Sequence, residues 1–592
     1  MPQSDQESAS VMDAHRIIED AWEELRRSPS VQQQLGIVPA RLPSISLEEA
    51  QRRSEVGHSL LKRLDALQSA SLPHDLALTL RLVRFRAGMW ARESDWYWLV
   101  VDPLGAGFFG LFAPTAYCGG FLLHTLHDQF AAFRFAEAGD ADRYLALIAD
   151  YARLIDEFTA RTLGQAKRGI RMPAVQVRQA RELLSRFKSG ARRVLAVDEA
   201  RTQGSSSRRL SDEVARRVEQ AVEPAFDRAI SALSDDYLAQ APERVGMSQY
   251  QSGEEVYAEL VKLNTTLALS PQEVHAEGHR RMEEIETSME LIRSERGFRQ
   301  DKAGFLAQLK QDVRWRASTV EGVQGVFQRY MDRLNVRFDE YFPRRPKAPC
   351  RTAALPQSLE GSMTFGYYDA PQRGRLEGIY LFNAKNLTNQ SLFNVAALTY
   401  HELLPGHHLH LSTQQENEAL HPFRTFSSVN AYNEGWAEYA ATLAGEMGLY
   451  EVPEERYGRL VMDAFLTSRL VVDTGMNALG WSLAQAREYM REHSGMTEVE
   501  ILTETVRYSC DIPAQALAYK LGDAKIFALR DRMSAALGPA FTIKDFHEAV
   551  LGPGAMPFPE LEWHVEHEIE TRKARRLSDQ PGVGLGGRVS PG

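Results

Sequence analysis

The segment His401-Glu402-Leu403-Leu404-Pro405-Gly406-His407-His408 places one carboxylate and three imidazoles within eight residues. Apolar residues precede it, among them Leu392, Phe393, Val395 and Leu398, and a second acidic cluster follows at Glu434-Gly435-Trp436-Ala437-Glu438-Tyr439. Polar and charged groups are costly to bury unless paired or coordinated, so this density on apolar helices asks for a chemical purpose. Two histidines, a distant glutamate and a glutamate beside the first histidine are the donor set of a zinc hydrolase: three ligands, an open fourth position and a general base. His401, His407 and Glu434 are the expected ligands, and Glu402 is the expected base.

The spacing is unusual. Zinc proteases commonly place two histidines four apart on one helical face, with the glutamate between them. Here the second imidazole comes six or seven residues later. On a straight helix it would stand roughly 9–10 Å further along the axis, too far for two zinc–nitrogen bonds of about 2.0–2.1 Å. The helix must break, and Pro405-Gly406 sits where the break is needed: proline disfavours helix at Leu404, and glycine permits unusual dihedrals. The sequence leaves open whether His407 or His408 swings onto the metal. The reading adopted places His407 on it and His408 behind it, supporting catalysis.

Several separated segments carry a family resemblance. They are Tyr257 with Thr265-Thr266; Ser270 to His275 with Gly278; Tyr368, Gly378, Tyr380 and Asn383; the two clusters above; Arg469 to Gly475 with Gly480-Trp481; Glu504, Arg507-Tyr508, Pro513, Gln515 to Leu517, Tyr519-Lys520 and Gly522; and Phe546-His547 before Leu551 and Gly554. Together, over roughly residues 245–565, they resemble the bacterial domain-of-unknown-function family 885, zincin-like proteins. The resemblance implies a metallopeptidase-like fold and, by the ligand logic shared with helical oligopeptidases, peptide substrates. Two positions depart from it: Asn477 stands where a histidine is usual, and Ala514 where a glycine is common. The first departure suggests a specialised substrate if that histidine is catalytic.

Residues 362–382 read as a short hairpin just before the metal helix, turning at Gln372-Arg373-Gly374-Arg375. A strand edge beside a metal can hold an extended substrate by main-chain hydrogen bonds. Tyr368, Tyr380 and Asn383 are the expected contacts, and a purely structural ribbon is the competing role. A zinc hydrolase also needs an oxyanion donor and, for an acidic substrate, a cation. Tyr508 is read as the donor and Arg507 or Lys520 as the cation, with Tyr519 beside them in the substrate site. A salt bridge to Glu504 or Asp511 is the competing role. The pairs His124/His127 and His564/His567 lack a third ligand nearby and are not read as metal sites.

The chain has 592 residues, 44% hydrophobic and 25% charged, with a net charge of −10. That balance allows ample core and gives no basic footprint for nucleic acid. The three cysteines, Cys118, Cys350 and Cys510, show neither metal-ligand spacing nor a disulfide framework, which fits a reducing compartment. Residues 1–20 lack signal-peptide architecture. The stretch 104–126 has no charged residue, but its glycines and Pro114 would break a membrane span, so a buried helix–turn–helix is expected. The protein therefore reads as cytoplasmic, with no membrane or nucleic-acid partner.

Helical periodicity marks 48–70, 138–165, 209–240, 273–294 and 318–336, with Asp212 and Ser270 as N-caps. The arginine-rich run from Arg178 to Arg217 reads as solvated helix faces, Gly204 to Ser207 as a loop, and 341–356 as a linker. The expected organisation is a helical N-terminal region (1–240), a catalytic region (241–570) and a disordered tail (571–592). The fold class is mainly α, a zincin-like helical metallohydrolase with a small β-hairpin or sheet beside the metal helix. The expected function is hydrolysis of a peptide or small amide substrate by metal-activated water, with one zinc per chain or another divalent ion in its place. Two other readings are a metal-dependent enzyme cleaving a non-peptide C–N bond of a small molecule, and a non-catalytic metal-binding protein of the same fold.

Overall fold

The periodicity is realised as helix almost throughout: the computed structural model is mainly α-helical with one small three-stranded sheet. It describes residues 3–67, 72–105, 107–198, 201, 207–356, 366–385 and 387–579. Leu47–Ala66 (α1) and His74–Ala91 (α2) pack as a pair. Pro271–Glu295 (α3) begins with a capping box, in which Ser270 and Glu273 satisfy each other's backbone N–H groups and Pro271 takes the first turn. Val320–Tyr341 (α4) follows, capped by Thr319.

The sheet comes next. Cys350–Ala354 (β1) pairs in parallel with Gly378–Phe382 (β3), which pairs antiparallel with Gly366–Asp369 (β2). The hairpin is therefore present as β2 and β3, but the segment expected as a linker supplies a strand. Residues 362–365, part of the expected hairpin, lie outside the described residues. β3 is central, so β2 is an edge.

Val395–Glu402 (α5) ends where the break is needed and His407–Glu416 (α6) resumes. Asn430–Glu446 (α7), Pro453–Asn477 (α8) and Ala518–Leu537 (α9) complete the centre. α5 is buried on every side from Val395 to His401, which explains its lack of a polar face. α8 packs along α3, and α7 along α9. The second pair meets at Gly435 and Gly522, where a Cβ on Gly435 would stand 2.6 Å from the Gly522 Cα. Only glycines allow that approach. It brings the Tyr519-Lys520 end of α9 to the Glu434–Glu438 face of α7.

Two large hydrophobic cores form. One joins Ile17, Leu60 and Val83 to Phe327, Leu409 and Trp436; the other joins Phe112, Tyr151 and Phe226 to Leu470, Leu517 and Leu521. Both draw on residues from either side of position 240, so the N-terminal helices share cores with the rest of the chain.

Four local expectations need correction. The stretch 104–126 is not a helix–turn–helix: its described residues are irregular to Thr115 and become helical only from Ala116, because its glycines and Pro114 interrupt any earlier helix. Asp212 is not an N-cap, since it lies inside the helix Ser207–Arg217. Of the expected Gly204–Ser207 loop, only Ser207 is described, and it opens that helix. The last helix, Phe558–Asp579, runs past the expected start of the tail, and residues 580–592 lie outside the described residues. The arginine-rich run forms surface ion pairs, including Arg181–Asp235, Arg192–Glu223 and Arg217–Glu213. No helix among the described residues is long and apolar enough to cross a membrane. Cys118, Cys350 and Cys510 are free thiols.

Candidate metal centre

The break between α5 and α6 turns the chain back on itself. Gly406 comes so close to the end of α5 that a Cβ there would overlap the His401 carbonyl oxygen. The Leu404–Pro405 bond is cis, and the Trp436 indole N–H of α7 donates to the Pro405 carbonyl at 3.0 Å, fastening the turn to the helix that carries Glu434. The His401 and His407 rings consequently stand 4.8 Å apart and nearly perpendicular. Glu434 Oε2 lies 3.7 Å from His401 Nε2 and 3.3 Å from His407 Nε2.

These separations suit a metal. Ligands at about 2.0–2.1 Å in a tetrahedron stand roughly 3.4 Å apart. Glu434 Oε2 is buried and has no hydrogen-bond donor, so a cation would satisfy it. His401, His407 and Glu434 are the one group of this kind among the described residues. Their chemistry, two imidazoles and one carboxylate, fits zinc and leaves a position open.

The supporting contacts are specific. His401 Nδ1 lies 2.9 Å from Glu438 Oε1, which fixes its tautomer and leaves Nε2 for a metal. Glu438 is fully buried and also accepts from Arg459 at 2.9 Å, with Lys520 at 3.7 Å. His407 Nδ1 lies 3.0 Å from His410 Nε2. Burial works against charge on Glu434, yet the two imidazoles outweigh it and hold its carboxyl below the usual range. Burial raises the Glu402 carboxyl, opposed by His401 and His407. The triad and Glu402 open on a cavity of about 950 Å³, within the range of small-ligand sites.

The pattern of a bacterial protein family of unknown function, DUF885, matches residues 29–565. The chain belongs to that family. The DUF885 match thus takes in the N-terminal helices as well as the metal segments. Two solved structures share the fold, each named a "putative lipoprotein". The one from Colwellia psychrerythraea is 23% identical, with a TM-score of 0.80 over 94% of this chain and 99% of its own. The one from Shewanella oneidensis, of unknown function, is 16% identical, with a TM-score of 0.69 over 93% and 98%. Among curated proteins, none matches this DUF885 chain.

The structure gathers some of the expected site residues and disperses others. Tyr368, Arg507 and Tyr519 line the cavity with the triad and Glu402. Tyr519 stacks on His401, ring centroids 6.0 Å apart. His408 does not face the triad: its Nδ1 lies 2.6 Å from the Tyr368 hydroxyl and its Nε2 2.9 Å from the Ala348 carbonyl, so it anchors the sheet. Tyr508 does not line the cavity, because its hydroxyl bonds to Glu504 and accepts from Arg469 in the interior. Lys520 is buried behind the site, paired with Asp523 at 2.5 Å and Asp463 at 2.7 Å. Tyr380 is fully buried against Phe327 because β3 is the central strand, and Asn383 accepts from the Lys385 N–H at 2.9 Å; neither lines the cavity.

Asn477 is also remote. It is fully buried at the end of α8, donating to Asp473 and to the Tyr508 carbonyl and accepting from the Met247 N–H. Ala514 has φ +65°, the left-handed region that favours glycine, the residue expected at this position. His124 pairs with Asp128 and His127 with Tyr151, while His564 bonds to His74. The sequence reading assigned no role to Glu438, His410 or Arg469. The first two were detectable, one helical turn from Glu434 and His407 respectively. Arg469 reaches the cavity only through tertiary packing.

Proposed function

We propose that this DUF885 protein is a metal-dependent hydrolase of peptide or amide bonds, zincin-like in its ligand logic, with His401, His407 and Glu434 holding one zinc. The observation that carries this reading is the convergence of three metal-competent donor atoms, within 4.8 Å of one another, on a cavity that also receives Glu402. A closed structural zinc site has four protein ligands and needs no adjacent carboxylate. Bound zinc would supply Lewis acidity, lowering a water's pKa toward about 7 and polarising the substrate carbonyl.

The chain's own residues do the rest. Glu402 takes the proton of the attacking water and passes it to the departing nitrogen as the C–N bond breaks. Tyr519, on the His401 ring and facing the cavity, takes the oxyanion-donor role first expected of Tyr508. The β2 edge, whose residues Gly366 to Asp369 border the cavity, offers main-chain groups to an extended substrate. The free thiols favour a reducing compartment.

The test is a peptide-library digest by zinc-loaded wild type and Glu402→Gln. Wild type should cleave. The variant should keep its zinc while turnover falls by about 10²-fold or more. Absence of any cleavage by zinc-loaded wild type, or normal turnover in Glu402→Gln, would overturn the reading.

A further inference from the structure

The cavity wall beyond Tyr519 carries a charge imbalance. Arg469 donates to Glu504 at 3.0 Å and to the Tyr508 hydroxyl at 2.6 Å. Arg507 donates to Gln515 Oε1 at 2.7 Å and reaches Glu504 only at 3.4 Å, while its Nε has no acceptor. Two guanidinium groups thus share one carboxylate, and Arg469, Glu504, Arg507 and Gln515 all line the cavity. The arginine side chains are only 4% and 11% exposed.

The other carboxylates nearby do not restore balance. Asp473 accepts from Tyr257, Asn477 and the Ala514 N–H, and Asp511 from Thr115 and the N–H groups of Tyr117 and Cys118. Both carboxylates are thus spent on donors other than the two arginines, and burial raises the Asp473 carboxyl to about 7, so that it is only partly ionised near neutrality. A guanidinium removed from water without a full counter-charge is costly. An anion entering the cavity would complete the set.

The distance limits where along a substrate that anion can lie. The Tyr519 ring carries His401 at 6.0 Å and the Arg469 guanidinium at 4.7 Å, so one aromatic ring separates the metal triad from Arg469, which shares Glu504 with Arg507. An extended residue advances about 3.3–3.6 Å. A substrate with its scissile carbonyl at the triad would therefore bring a group one or two residues downstream to the arginines. Planar guanidinium groups match a carboxylate's two oxygens.

We propose that Arg507, with Arg469 and Gln515 beside it, binds the terminal carboxylate of the substrate, so that the enzyme removes one or two residues from the C-terminus of short peptides. The inference rests on the hydrolase reading for its chemistry: the C–N bond breaks, the acyl carbon gains the hydroxyl of water, and the released amine gains the remaining proton through Glu402.

The test reads binding, so it does not depend on turnover. Zinc-loaded Glu402→Gln protein is titrated calorimetrically with an N-acetyl dipeptide and with its C-terminal amide. The acid should bind about tenfold tighter or better, as a charge-assisted bidentate contact requires. That preference should vanish when Arg507→Gln is added and survive in part with Arg507→Lys. Equal affinity for acid and amide overturns the proposal. So does a full preference without Arg507, which would put the carboxylate on the metal or elsewhere. If the double variant does not fold, metal-free wild type decides, because no metal can then draw the carboxylate: a preference for the acid supports the subsite and its absence overturns it. Failure of wild type to cleave any peptide would count against the hydrolase reading alone.

Discussion

His401 and Glu438 are joined by a buried hydrogen bond, imidazole Nδ1 to carboxylate Oε1 at 2.9 Å, although the two residues are 37 positions apart. The carboxylate orients the ring and raises its basicity as a ligand. Glu438→Gln removes the charge and preserves the shape. Zinc affinity should fall about tenfold or more, the usual effect of losing such a partner. Competition with a chelator measures it, and an unchanged affinity would show that Arg459 and Lys520 already neutralise Glu438.

His407 and His408 are neighbours with separate duties. His407→Ala should abolish stoichiometric zinc binding, because it leaves two protein ligands. His408→Ala should keep the zinc, since both ring nitrogens of His408 are engaged by Tyr368 and Ala348. It should instead destabilise the fold by about 1–2 kcal/mol, the scale of lost buried hydrogen bonds. Elemental analysis and denaturant unfolding of the two variants check this. Equal zinc content in both would refute the assignment.

Gly406→Ala adds one methyl group at the point where α6 starts back across the end of α5. The backbone must shift, at about 1–3 kcal/mol for overpacking, and His407 moves with it. Zinc affinity and unfolding midpoint should fall together. A variant with normal values for both would mean that the turn relaxes without displacing the ligand.

His547, on the helix Ile543–Leu551, is fully buried between the Tyr341 carbonyl at 2.8 Å and the Tyr439 hydroxyl at 2.9 Å. Burial pushes its imidazole down to about 3, against the Tyr341 carbonyl and with help from Arg530. In the unfolded chain it titrates near about 6.5. Below that pH the unfolded state gains a proton that the folded state refuses, so stability present above about 6.5 is lost progressively down to about 3. Melting temperature should fall across that window, and less steeply in His547→Gln. Superimposable pH profiles for the two proteins would remove His547 as a contributor.

The donor set, the helix break and the long helices near 48–70, 138–165, 273–294 and 318–336 were legible in local sequence. Density of ionisable groups on apolar helices marked His401, Glu402, His407 and Glu434. Pro405-Gly406 marked the break through backbone sterics alone, and Ser270 announced its helix through a capping box. Tertiary structure decided what each donor faces. Adjacent helical residues point about 100° apart, so only one of His407 and His408 can meet Glu434, and which one depends on how Trp436 holds the turn. Tyr508 and Tyr519 are both tyrosines near a cation in sequence. The first bonds one helical turn back to Glu504, while the second reaches the cavity because Gly435 and Gly522 let α7 and α9 touch. Strand β1 was hidden among prolines, since a five-residue strand is defined by its partner rather than by its own pattern. The sequence by itself determined which chemistry is available, because side-chain type and local backbone preference are local properties. The packing of distant helices decided which groups share a cavity, because convergence depends on contacts that no short window contains.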